Sequence, residues 1–227
     1  MPELQYLDTR LSCSWDSSLL APMTELNAEI LEAMFDAAPP NEAAGNAADL
    51  QWRWRALGEP ARLRLAHCPY LLLDAGFAAA ETWAGLRRAG VHESAPLSPA
   101  PASPASASPA PFAASLIRRV LHFAWHLARS NAPGARIALG MSADCVAVVA
   151  RCRLLDLEAL AEHRPAWIRP RWAELPGLWQ AWLETAALES PRPLERLQLW
   201  GLQALAAEVL AHRPAVKYPV ETSGDWP

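Results

Sequence analysis

His122 and His126 stand four residues apart in LIRRVLHFAWHLARS, the spacing that places two imidazoles on one helical face, as a zinc site requires. Cys145 and Cys152 would complete a four-ligand set if a second helix packed face to face with the first. The residues between the histidines are Phe123, Ala124 and Trp125, so the glutamate of H-E-x-x-H is missing. Two core or half-exposed histidines are therefore expected, and no metal. G-x-S-x-G, G-x-G-x-x-G and G-x-x-x-x-G-K-[ST] are all absent, and Ser142, in GMSAD, lacks the second glycine of a nucleophile elbow. Glu29/Glu32 and Glu158/Glu162 are ordinary helix-face carboxylates rather than an acid/base pair. No catalytic residue and no cofactor are expected, and the chain reads as non-enzymatic.

The residues suited to binding are arginines and tryptophans. WIRPRWAELPGLWQAW, residues 167 to 182, interleaves Trp167, Trp172, Trp179 and Trp182 with Arg169 and Arg171. Aromatics beside cations stack on single-stranded bases, and protein hot spots share that composition. At their spacing, Trp179 and Trp182 fit a buried helical stripe, and an arginine stacked on Trp167 or Trp172 would be an internal cation–π contact. The binding candidates are thus Arg151, Arg153, Arg169, Arg171, Trp167 and Trp172, with a protein interface as their expected use.

Charge is segregated along the chain. The net charge of −4 divides into −6 over residues 1–93, nothing over 94–117, +5 over 118–171 and −3 over 172–227. The positive block, Arg118 to Arg171, is the expected functional face. Its charge suits phosphate, an acidic protein partner or the acidic N-terminal half equally.

The elements that must carry these residues are helices. TELNAEILEAMFDAA (24–38) spaces Leu26, Ile30, Met34 and Phe35 helically, with Thr24 as N-cap, and PPNEAAGNAAD breaks it. Helices follow over about 58–67 and 78–88. CPYLLLDAGF between them is a buried strand or a helix start, with helix preferred in an alanine-rich setting. SAPLSPAPASPASASPAP (94–111) has proline every two to five positions and no charge, which predicts an extended linker. Beyond it, 111–130, 176–189 and 193–212 each place proline near the start and apolar residues at helical spacing. In the first the stripe is Ile117, Val120, Leu121 and Trp125; in the last it is Leu199, Leu202, Ala206 and Val209. The expectation is an all-α chain: an acidic N-terminal helical module (1–93), the Pro/Ala/Ser-rich linker (94–111), a C-terminal helical bundle (112–213) and a tail (214–227).

SADCVAVVARCRLLDLEALAEHRP (142–165) reads as two short helices joined by a tight turn. Ser142 caps the first, and Cys145, Val146, Val149 and Cys152 recur on a side that must be buried. The chain turns at Arg153-Leu154-Leu155, Asp156 caps the second helix, Leu157, Leu160 and Ala161 form its stripe, and His163-Arg164-Pro165 stops it. Gly140-Met141-Ser142 followed by Val146 and Val149 is also the spacing of a helix-turn-helix and its second helix. Asp144, however, lies where a recognition helix presents groups to phosphates or bases, and only Arg151 is a good contact. Packing against protein is preferred, and DNA binding through 142–163 is the alternative.

Residues 126–171, with Leu139, Gly140 and Met141 at the turn, Val149 and Ala150 in the first short helix, and Leu157, Leu160 and Ala161 in the second, resemble the helical core of the FlhD family of flagellar transcriptional regulators. That resemblance covers about a fifth of the chain and implies a dimeric, all-helical protein acting with a partner subunit at promoters. The separate N-terminal module, the linker and the tryptophan-rich tail depart from it. A second likeness, at Leu26-Asn27-Ala28-Glu29-Ile30-Leu31, is to cytosolic sorting-platform adaptors of bacterial type III secretion and implies a protein-binding role.

Cys13, Cys68, Cys145 and Cys152 lack C-x-x-C spacing and sit in apolar segments, which suits reduced core thiols. Neither a basic-then-apolar leader nor 18 consecutive apolar residues occurs, so the expected location is cytoplasmic, without a membrane partner. A protein partner is expected, with nucleic acid as its rival and a homo-oligomer allowed.

Overall fold

The structure is a computed structural model and describes residues 17–36, 46–89, 112–164 and 167–211. Among them are ten helices and one two-stranded sheet: α1 (Ser17–Asp36), α2 (Asn46–Ala56), α3 (Glu59–Ala66), β1 (Leu73–Asp74), α4 (Ala80–Ala89), α5 (Ala114–Ser130), α6 (Ala132–Leu139), α7 (Ala143–Val149), α8 (Leu154–His163), β2 (Arg169–Pro170), α9 (Pro176–Ala186) and α10 (Arg192–Ala211). The chain is mostly helical, as the apolar spacing requires. Cys13, the 94–111 stretch and the 214–227 tail lie outside the described residues.

α5 shows how spacing becomes packing. Leu116, Ile117, Val120, Leu121, Ala124, Leu127 and Ala128 are buried on one side, while Arg118, Arg119 and Arg129 stay toward water. α5 stops at Asn131, whose Oδ1 accepts from the Gly134 amide at 2.9 Å and so starts α6 at once. Gly140 ends α6 with φ 65°, a left-handed conformation that costs glycine no Cβ clash. Ser142 then caps α7 by accepting from the Cys145 amide at 3.1 Å, as its position in the sequence predicts.

The described residues on either side of 94–111 share one apolar core. α1 packs on α5, α2 and α3 pack on α9, and α4 packs on α7. β1 pairs antiparallel with β2, Leu73 opposite Pro170 and Asp74 opposite Arg169. A single apolar cluster joins Leu26, Ile30 and Leu31 of α1 to Ile117 and Val120 of α5 and to Trp179 and Trp182 of α9. Apolar faces too narrow to enclose themselves are buried against one another.

Several local expectations give way to tertiary context. α1 starts at Ser17, so Thr24 lies within it rather than capping it. α2 was not expected, because its apolar periodicity is poor: Trp54 is buried while Trp52, two residues earlier, is exposed. CPYLLLDAGF is neither a helix nor a full strand. Cys68, Tyr70 to Leu73, Ala75 and Phe77 are all buried in an irregular path whose carbonyls are met by side chains from elsewhere. Asp156 is the fourth residue of a capping box rather than the cap: Arg153 is the N-cap and its amide donates to Asp156 Oδ2 at 3.2 Å. In α10 the buried residues are Leu194, Gly201 and Leu205, not the Leu199, Leu202, Ala206, Val209 stripe; Leu199 and Ala206 are exposed. Gly201 decides that rotation, because a Cβ there would stand 1.9 Å from the Tyr70 hydroxyl.

Candidate interaction surface

Two buried polar side chains organise the ground on which any surface stands. Asn27, in the middle of α1, donates through Nδ2 to the carbonyls of Ala66 (3.3 Å), Cys68 (3.4 Å) and Tyr70 (2.9 Å), and its Oδ1 accepts from the Leu72 amide at 3.0 Å. The LNAEIL stretch thus has a structural use: Leu26, Ile30 and Leu31 fill the core and Asn27 satisfies the irregular run beside it. Arg171 does the same from the other side. Its backbone amide donates to Leu72 O at 2.9 Å, Nε to Leu71 O at 2.8 Å and Nη2 to Leu139 O at 2.6 Å, while Nη1 lies 3.8 Å from both Asp74 and Glu208.

Arg171 is therefore not part of an exposed basic face; it is 4% exposed and fully engaged inside. Trp172 follows it into the interior with φ 51°. Its ring meets Tyr70, Trp182 and Trp200 at centroid distances of 5.7, 6.0 and 5.8 Å, and its Nε1 donates to Glu208 at 3.1 Å. Trp179 and Trp182 are buried in the same aromatic layer, as their spacing predicts, 5.1 Å apart. Trp167 is half-buried, edge-on to Trp83 at 5.0 Å and against Gly76. The arginine stacking occurs elsewhere: Arg62 over Trp54 at 4.7 Å and Arg129 over Trp125 at 4.6 Å.

The three binding candidates left on the surface are Arg151, Arg153 and Arg169. Arg169 sits on β2. Arg151 and Arg153 lie together in the turn between α7 and α8, and the next two residues are apolar and outward: Leu154 is 45% exposed and Leu155 71%. They precede the buried Leu157, Leu160 and Ala161 and fall outside that stripe. Leu154 and Leu155, expected in the turn, are the first two residues of α8. The turn is braced from beneath, since Trp125 of α5 donates through Nε1 to the Cys152 carbonyl at 2.9 Å. Arg129, stacked on the same Trp125, adds a third guanidinium to this end of α5, and Arg153 is fixed on Asp156 at 2.7 Å.

α6 and α7 meet at 115°, the angle of a helix-turn-helix. α7 nevertheless turns Ala143, Asp144 and Ala147 outward, a face with one carboxylate and two methyls, and the exposed cation Arg151 stands in the turn beyond it. Its other side, Cys145, Val146 and Val149, is buried as expected.

No protein-family model, curated protein or solved structure matches the chain. No group of three or more His, Cys, Asp or Glu side chains positioned for a metal ion occurs among the described residues. Cys68, Cys145 and Cys152 are buried thiols. Burial pushes Cys68 up to about 12 against the opposing pull of Tyr70 and Arg171, and raises Cys145 as well. Such thiols stay protonated at neutral pH and are poor nucleophiles. No helix among the described residues is long and apolar enough to cross a membrane.

Proposed function

We propose that the protein is a non-enzymatic assembly adaptor that engages a protein partner through the α7–α8 turn. The observation that carries this reading is the pair Leu154 and Leu155, held in water between Arg151, Arg153 and a braced helix start. Exposed leucines lose free energy in water at roughly 25 cal/mol per Å² of apolar area, and arginines beside them fit the composition of interface hot spots. The likeness of 126–171 to FlhD regulators implies work through a partner subunit and agrees with this reading, whereas the residues that carry the likeness of 26–31 to type III secretion adaptors are mostly spent in the core. A regulatory role at promoters and a secretion or flagellar setting are proposals of the same rank. The 115° hairpin favours a second reading, DNA binding, and Asp144 at the front of α7 weighs against it.

Affinity capture from a native extract with nuclease present, comparing the intact chain with Arg151→Glu/Leu155→Ser, tests the proposal. A specific protein retained at physiological salt by the intact chain and lost by the variant is the expected result. Capture unaffected by the variant overturns it. Recovery of nucleic acid alone, lost steeply between low and physiological salt, establishes the DNA reading instead.

A further inference from the structure

α10 is attached by one side only. Leu194, Gly201 and Leu205 are buried, whereas Leu199 (57% exposed), Gln203, Ala206 and Leu210 (59% exposed) run along the outer side at spacings of four, three and four. That is the rhythm of a two-helix seam. The geometry points to a second copy of this chain as the occupant, its α10 packed antiparallel on this one.

The argument rests on self-complementarity, which a two-fold interface demands. The four positions are symmetric about the midpoint between Ala204 and Leu205. Reversing one helix about that point sets Leu199 against Leu210 of the other copy and Gln203 against Ala206. A parallel pairing would instead oppose two long glutamines and, one turn on, two short alanines, leaving a gap at the alanines, whereas the antiparallel register sets one long and one short side chain together at both levels. Trp200, 43% exposed, widens the apolar strip on one flank. Covering the strip on both copies removes on the order of 1,000 Å² from water, the lower end for a specific interface, so the dimer is concentration-dependent.

This inference is independent of the α7–α8 surface. Sedimentation of the full chain over a concentration series should show the mass rising from 24.8 kDa toward twice that value. Leu199→Glu/Leu210→Glu, at two exposed sites, should hold it monomeric with unchanged helical circular dichroism. In oxidising buffer Leu199→Cys/Leu210→Cys should cross-link between copies while Leu199→Cys alone remains at the wild-type level, because like positions lie roughly 16 Å apart along an antiparallel seam. A monomer at every concentration, a dimer that survives the double glutamate variant, or cross-linking by Leu199→Cys alone overturns the proposal.

Discussion

Arg171 and Arg151 are the same side chain put to opposite uses some twenty residues apart. Arg171 is shut inside, giving its donors to the carbonyls of Leu71 and Leu139 and lying 3.8 Å from two carboxylates. Arg151 stands in water in the turn after a short helix, near Arg153 and two exposed leucines. A basic residue in a sequence therefore says nothing about a basic surface until the backbone around it is accounted for. Where an irregular buried run leaves carbonyls without partners, a guanidinium is drawn inward; where α-helix supplies its own hydrogen bonds, the guanidinium is left for solvent or a partner.

Removing Arg171 should have the largest effect. Arg171→Ala strands the carbonyls of Leu71 and Leu139 and takes the cation from between Asp74 and Glu208, with an expected loss of about 3–5 kcal/mol in denaturant unfolding. Arg171→Lys should recover little, since an ammonium cannot reproduce the planar fork that reaches two carbonyls in different directions. A lysine variant as stable as the parent would show that charge alone matters there, and the contrast with Arg151 would collapse into one of burial.

Asn27 is the neutral counterpart of Arg171, and the same run of backbone depends on it. Asn27→Leu should cost about 2–3 kcal/mol, because the Leu72 amide and the carbonyl of Tyr70 lose their partner in a dry site. Asn27→Asp should be worse than leucine at neutral pH, since a carboxylate would face three carbonyls. Thermal melts of the two variants side by side rank them. Aspartate better tolerated than leucine would mean that water enters the site.

Asn27 also marks where the sequence stopped being legible. The helices were readable from apolar spacing, as in α5, and from cap residues such as Ser142 and Gly140, because those signals act within a few residues. The joining of residues 17–89 and 112–211 into one core was not, since the pairing of Leu73 with Pro170 and the reach of Arg171 to Leu71 cross about a hundred residues. The outward turn of Leu199 was hidden for a related reason: α10 has apolar residues on more than one side, and Tyr70, far away in sequence, selects the side that carries Gly201. Of the six candidate binding residues, Arg151, Arg153 and Arg169 are exposed, whereas the burial of Arg171 and Trp172 required the fold.

The interior around Arg171 should also govern alkaline stability. Burial raises the Cys68 thiol from its ordinary 9.0 to about 12, so the folded state keeps a proton that the unfolded chain gives up first. That contribution is complete below pH 9 and is lost as pH rises toward 12; buried Tyr70 and Cys145 shift in the same direction. Unfolding followed from pH 8 to 11 should therefore show falling stability, and Cys68→Ala should flatten the slope although it lowers stability at pH 8 through the cavity it leaves. A slope unchanged in the variant would place the alkaline sensitivity on Tyr70 or Cys145.

The smallest effect on folding belongs to the turn, and its smallness is the informative part. Leu155 is 71% exposed and Arg151 stands in water in the turn after α7, so Arg151→Glu/Leu155→Ser removes nothing that the core uses. Its melting temperature should match that of the parent, because the brace beneath the turn, the Trp125 indole on the Cys152 carbonyl, is made by neither residue. Leucines this exposed contribute little to the folded monomer, and under the reading proposed above the pair beside the arginines is left for a partner. If the double variant melts well below the parent, Leu155 and Arg151 are part of the scaffold after all, and the division between an arginine that builds the fold and one that is left for a partner fails at this site.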